Sequence, residues 1–218
     1  MNKKCKVDSI IFDLDGTLWD TKVETLHSVN DVLDKYDLEH IDLSKIESAM
    51  GHTDNEVAKL YMPNLKKEER EHIFREMVIS NIDTIKHTGG ILYKGVVKTL
   101  KKLSSSYKIF IVSNCGDGYI ESFLDYYKLN DLFTDFVPAS KYNISKTKAI
   151  NNLINKYNLK CAVYCGDTLG DYNYAKDAGI PFIHAKYGFC PELESTYQIK
   201  SINEIFDIID KISNDNNK

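Results

Sequence analysis

Positive charge is in deficit, since 28 lysines and arginines face 32 aspartates and glutamates for a net charge of −4. Such a field holds no general attraction for nucleic acid or an anionic membrane, so an anionic ligand has to be drawn by local charge. Long apolar runs are missing as well. No stretch approaches the ~18 apolar residues of a membrane span. The short run after Met1-Asn2-Lys3-Lys4 is interrupted by Asp8 and Asp13, which argues against a signal peptide. Cysteines paired at zinc-site spacing are absent: Cys5, Cys115, Cys161, Cys165 and Cys190 are odd in number, and two of them lie in an apolar strand-like run. Reduced, buried thiols are expected, and with them a cytoplasmic protein. Internal repeats, heptads and low-complexity domains are lacking too. What remains is a globular chain of 218 residues, 43% hydrophobic and 28% charged, long enough for one generous domain or a core that carries a second, smaller one.

The stretch that organises the chain is Asp13-Leu14-Asp15-Gly16-Thr17, at the end of the run Val7-Asp8-Ser9-Ile10-Ile11-Phe12. An apolar run that stops at two carboxylates and a glycine reads as a buried strand whose carboxyl end opens into a site. In an extended chain Asp13 and Asp15 point to the same side, and their repulsion needs a cation or a shared proton for relief. After Thr17 the period changes to about 3.6: Val23, Leu26, Val29, Leu33 and Tyr36 mark an amphipathic helix capped by Asp20 or Thr21. Further helices are predicted at 43–50, 55–61 and 66–86, before Gly89-Gly90 break the pattern.

From residue 91 helix and strand alternate. Helices are predicted at 94–103, 117–127 (capped by Asp117), 145–157, 171–178 and through Ile202 to Ile212. Strands are predicted at 107–112, 135–138, 161–165 and 181–184, with a frayed tail from Ser213 to Lys218. Alternation of this kind predicts a Rossmann-like, doubly wound parallel sheet covered by helices on both faces. A strand-to-helix connection takes ~2–6 residues, whereas the helix that returns to the sheet begins only near Lys94. The excess is read as an all-helical cap domain at 21–86, inserted into a core at 1–20 and 87–218 and lying over Asp13 and Asp15.

Residues that finish different strands of a parallel sheet meet at one edge. Four segments are brought together by that rule: Asp13 to Thr17; Ser113-Asn114 after Lys108-Ile109-Phe110-Ile111-Val112; Lys146 in the first turn of its helix; and Gly166-Asp167-Thr168-Leu169-Gly170-Asp171. A lysine at a helix N-terminus opposes the helix dipole unless an anion offsets it. Oxygen ligands for a metal, a lysine and a hydroxyl make a set suited to phosphate. A further candidate is the break Met50-Gly51-His52-Thr53 in the cap, where glycine lets the loop bend toward a ligand and His52 would touch the part of the substrate beyond the phosphate.

In these four motifs, their order and the helical insertion after the first, the chain resembles the haloacid dehalogenase superfamily. The likeness is to its phosphoglycolate phosphatase and β-phosphoglucomutase subgroup, over nearly the whole length. The resemblance implies a phosphatase acting on a small phosphorylated metabolite: phosphoglycolate, a nucleotide or a sugar phosphate. Asp13 would be the nucleophile and Asp15 the acid and base. Gly16, Thr17, Ser113, Asn114 and Lys146 would hold the phosphoryl group. Mg²⁺ would lie on Asp13, the Asp15 carbonyl and Asp167, with Asp171 in support. Many members place proline after the motif lysine; here Thr147 stands there, and Lys148 is a second candidate for that lysine. The alternatives are a β-phosphoglucomutase-type phosphotransferase and a non-catalytic binding or regulatory protein on the same scaffold. Dehalogenation would need neither Asp15 nor magnesium, and an aspartate-phosphorylated receiver domain lacks such an insertion. A monomer or homodimer is expected.

Overall fold

The computed structural model describes residues 5–215. Its main sheet has six parallel strands: β1 (Ser9–Phe12), β4 (Lys108–Ser113), β5 (Asp135–Pro138), β6 (Ala162–Gly166), β7 (Phe182–Ala185) and β8 (Gln198–Ile199), in the order β5-β4-β1-β6-β7-β8. In register, Phe12 sits between Ile111 and Cys165. Strand β1 lies in the middle because Ile10, Ile11 and Phe12 are apolar on both faces and wholly buried. Ile10 and Phe12 pack with Ile109, Ile111, Val163 and Cys165 on one face; Ile11 packs with Phe110, Val112 and Tyr164 on the other.

The chain winds outward from β1 through β4 to β5, then restarts on the other side at β6. The order reverses between β1 and β6, so the crevice past their carboxyl ends is where an open α/β sheet places its ligand. Asp13 follows β1 there, and Asp167 follows β6.

Helices α1 (Lys22–Lys35), α2 (Leu43–Ala49), α3 (Asp54–Tyr61) and α4 (Lys67–Thr88) have an apolar cluster of their own, with Val32, Leu33, Ile46, Ile73 and Met77 at its centre. The chain enters them through β2 (Trp19–Asp20) and leaves through β3 (Ile91–Leu92), which pair antiparallel as a two-stranded stalk. The remaining helices, α5 (Val96–Ser104), α6 (Tyr119–Tyr127), α7 (Lys146–Tyr157), α8 (Leu169–Asp177) and α9 (Ile205–Asp215), flank the sheet.

Several expectations are corrected. Strands β2, β3 and β8 were not foreseen: two residues each is too short for a periodic signal. Helix α6 does not begin at Asp117 but after Gly118, whose φ is 87°, and Asp117 instead pairs with Lys141 at 2.6 Å. Val23, expected inward, is exposed. The cysteines are not all reduced thiols. Cys5 is paired with Cys161, because the start of the chain runs beside β6 and brings the two Cα atoms within 6.0 Å. Residues Ser213 to Asp215 continue α9 instead of fraying, and the rest of that tail, like the Met1-Asn2-Lys3-Lys4 segment, lies outside the described residues. Among the described residues no helix is long and apolar enough to cross a membrane.

Candidate active site

Asp13 follows the last buried residue of β1, and its N–H donates to the Cys165 carbonyl at 2.8 Å, so the ladder with β6 carries it into the site. The next residues turn sharply. Gly16 has φ 78°, a conformation that costs glycine little, and its N–H donates to the Trp19 carbonyl at 2.9 Å. A Cβ at Gly16 would collide with the Asp167 carboxylate, so the turn needs glycine for close approach as well as for φ. Thr17 is buried, and its hydroxyl donates to Asp167 Oδ1 at 3.2 Å. The other Asp167 oxygen accepts from the Phe189 N–H at 2.8 Å.

Lys146 is the first residue of α7, after the Ser145 cap. Its ammonium lies 2.8 Å from Asp13 Oδ1 and 2.8 Å from Asp171 Oδ1, so two anions offset both the helix dipole and the loss of water. Its side chain is 2% exposed. Lys148 is exposed, and its N–H donates to the Ser145 hydroxyl. The structure thus brings Lys146, and not Lys148, to Asp13.

Asp171 is the most heavily bonded carboxylate. It accepts from Lys146 and the Tyr164 hydroxyl on Oδ1, and from the Thr168 N–H and hydroxyl on Oδ2, while Thr168 caps α8. Asp13, Asp167 and Asp171 are all buried and offer oxygens within 4.8 Å of one another. Three buried carboxylates against one ammonium leave negative charge in excess if all are ionised, and burial and mutual repulsion shift the group accordingly. Burial, followed by the Asp171 charge, raises Asp13 well above the usual carboxylate range, and the same two causes push Asp167 up to about 7. For Asp171 burial also acts upward, but Lys146 and Thr168 outweigh it and hold the group low. Lys146 loses stability of its charge to burial and regains more from Asp13 and Asp171, so its ammonium is held above the ordinary lysine range. A hard divalent cation on the carboxylate oxygens would supply the missing positive charge, so the donor set fits one.

Asp15 stands apart from this cluster. Its Oδ1 accepts from the Tyr119 hydroxyl at 2.8 Å and from the Thr21 hydroxyl at 3.1 Å, and those two hydroxyls lie 2.9 Å apart. Burial raises it to about 6 against the pull of these donors. Tyr119 and Thr21 were missed in the sequence. Tyr119 carries no local signal, since it is 104 residues from Asp15, and Thr21 reads as a helix cap. Thr21 does occupy the cap position of α1, yet its hydroxyl serves Asp15, while Asp20 Oδ1 takes the Lys22 N–H.

Ser113 ends β4 and is buried at the crevice. The Asn114 side chain donates to the Gly51 carbonyl at 3.2 Å, which ties the loop between α2 and α3 to the core. A Cβ at Gly51 would lie 3.2 Å from Thr168, so the same loop also presses on the segment after β6. Asp13, Asp15, Ser113, Asn114, Lys146 and His52 all line one cleft. His52 stands exposed in it, with Nδ1 3.4 Å from the Met50 carbonyl.

The family model for haloacid dehalogenase-like hydrolases matches residues 10–185. The chain belongs to this family. It is also 25% identical over 191 residues to a phosphoglycolate phosphatase of Aliivibrio fischeri, covering 83% of this chain and 84% of that one. A phosphoglycolate phosphatase of Rhodobacter capsulatus is 26% identical over 191 residues, with 83% and 85% covered. Among solved structures, a haloacid dehalogenase-like family hydrolase from Streptococcus pneumoniae superposes with a TM-score of 0.76 at 20% identity, covering 92% of this chain and 97% of that one. That likeness speaks for the shared fold. Membership in the family makes the chain a hydrolase, on a Rossmann-like core with inserted helices.

Proposed function

We propose that this hydrolase is a phosphatase that splits small phosphomonoesters through a phosphoryl group carried on Asp13. The observation that supports it best is the buried Lys146 ammonium bridging Asp13 and Asp171 in the cleft that Asp15 also lines. In the first step an Asp13 oxygen attacks phosphorus, the P–O bond to the alcohol breaks, and the departing oxygen takes the Asp15 proton. In the second, water attacks phosphorus, Asp15 takes back a proton, and the bond to Asp13 breaks to release inorganic phosphate and free Asp13. Splitting one displacement into two eases each. A carboxyl near 6 can be an acid in one step and a base in the next. Tyr119 and Thr21 orient it. Ser113, the Asn114 N–H and Lys146 face the phosphoryl oxygens, and Gly16 and Thr17 hold the loop that places Asp13 against Asp167. Residues 21–86 act as a cap that closes over the ester, with His52 at its rim.

Asp13, Asp167 and the Asp15 carbonyl would hold Mg²⁺, with Asp171 in support through Lys146. The ion supplies charge neutralisation around the phosphoryl group when bound. Chelator is expected to remove turnover of an aryl phosphate and Mg²⁺ to restore it, while Ca²⁺, with looser geometry, restores little. Full activity in chelator overturns the metal assignment.

Replacing Asp15 tests the acid. Asp15→Asn keeps the Tyr119 and Thr21 bonds to Oδ1 but has no proton to lend. It is expected to slow an alkyl phosphate by ~10²–10⁴-fold and an aryl phosphate much less, since a good leaving group needs little help. Equal losses on both esters count against the role.

A further inference from the structure

Above Asp13 and Asp15 the cleft continues between the core and helices α1 to α4, with a volume of about 150 Å³. A water takes on the order of 10–15 Å³ of such space, so a phosphoryl group and a small organic residue fill it. Its floor is ionic; its roof is not. Val29, Val57, Tyr61, Phe74, Met77 and Val78 line the upper wall. Among the described residues that line it, Lys146 is the one lysine or arginine, and its ammonium lies at the floor on Asp13 and Asp171, where the phosphoryl group would bind. His52 stands exposed. In the loop overhead the N–H of Met50 goes to Glu47, that of His52 to Ala49 and that of Thr53 to Glu56. The acidic side chain that the cap adds to the lining is the half-buried Asp54, which accepts a hydrogen bond from Ser140.

We propose that the cleft is built for the phosphate ester of a small, uncharged and largely apolar alcohol, with no second acidic group. The proposal rests on the phosphatase reading above and narrows its substrate. A carboxylate beside the ester would lie among apolar side chains, with no lysine or arginine but Lys146 on the lining, and near Asp54. Neutral polarity is accommodated, because Thr25 and Asn81, bonded to each other at 3.4 Å, line the same wall. Identity of 25–26% to phosphoglycolate phosphatases does not by itself carry their substrate over to this chain.

The test compares kcat/KM for isobutyl phosphate and 2-phosphoglycolate, with an aryl phosphate as a measure of the hydrolytic machinery. Isobutyl phosphate is expected to lead by at least about tenfold, as one buried interaction lost or mismatched is worth that much. Val78→Lys places a cation on the wall facing Gly116, where the native Val78 Cγ1 lies 3.5 Å from a Cβ built on Gly116. It is expected to move the ratio toward phosphoglycolate by about tenfold or more. Should that variant not fold, Asp54→Asn, on a half-exposed position, is expected to move the ratio the same way by a few-fold. Phosphoglycolate equal or better than isobutyl phosphate, with the aryl ester turned over, overturns the substrate class and leaves the phosphatase standing. If no ester is turned over, the phosphatase reading falls and the proposal with it.

Discussion

Asp13→Asn is expected to lower kcat on any phosphomonoester by at least about four orders of magnitude, since loss of a covalent nucleophile elsewhere costs on the order of 10⁶. The same change should leave the protein as stable as before, or more so. Asparagine keeps an oxygen to accept the Lys146 bond, and it removes a charge that burial and Asp171 already disfavour. A group whose folded pKa is raised destabilises the fold when it is ionised, so at pH 7 in chelator the neutral variant has lost a cost and not a contribution. Turnover, thermal denaturation and mass spectrometry of enzyme quenched during turnover check this together. Activity within tenfold of the native enzyme, or a phosphoryl adduct still formed on the variant, overturns the nucleophile.

Lys146→Met is expected to remove both activity and stability. Breaking a buried ion pair from one side costs ~3–5 kcal/mol, because the partner charges stay in the interior uncompensated. Here two partners are stranded, and loss of a charge that faces the transferring group costs a further ~10²–10³ in kcat. The pH dependence has a definite sign. Asp171 is held below its ordinary 3.8, so its contribution is present above that value and is lost as pH falls through the lower folded value. Lys146 is held above its ordinary 10.5, so its contribution is present below that value and is lost as pH rises through the higher folded one. Between these limits the native pair is intact, while in the variant the stranded carboxyls take up protons as pH drops. The gap in melting temperature between native and variant protein is therefore widest at neutral and mildly alkaline pH and narrows toward pH 4. A gap that is small at pH 8 would show that Lys146 does not compensate the carboxylates.

The proposed substrate and the proposed metal rest on the same charge pattern at different depths. At the floor of the cleft negative charge exceeds positive, which calls for a cation. Higher up, where the cap supplies the wall, apolar side chains and Asp54 leave an anion without a partner.

The amino-acid sequence by itself determined the class of the fold, because strand and helix periods and the turn after Phe12 are local properties. Alternation from residue 91 implied the parallel sheet, and the interval between Thr17 and Lys94 implied the inserted helices. Since parallel strands end on one side, the same pattern also implied that Asp13, Ser113, Lys146 and Asp167 share an edge. Tertiary structure decided everything that depends on distance between remote residues. Lys146 and Lys148 have the same chemistry and lie two positions apart, about 200° around a helix, so packing of α7 alone buries one against Asp13 and leaves the other in water. Tyr119 reaches Asp15 across 104 residues, and Cys5 reaches Cys161 across 156, with no trace in either local pattern. The charge of the upper cleft was equally hidden: side chains from α1, α3 and α4 form its wall only when the helices pack over the sheet, and that Lys146 is the one lysine or arginine lining the cleft among the described residues is a property of the assembled surface.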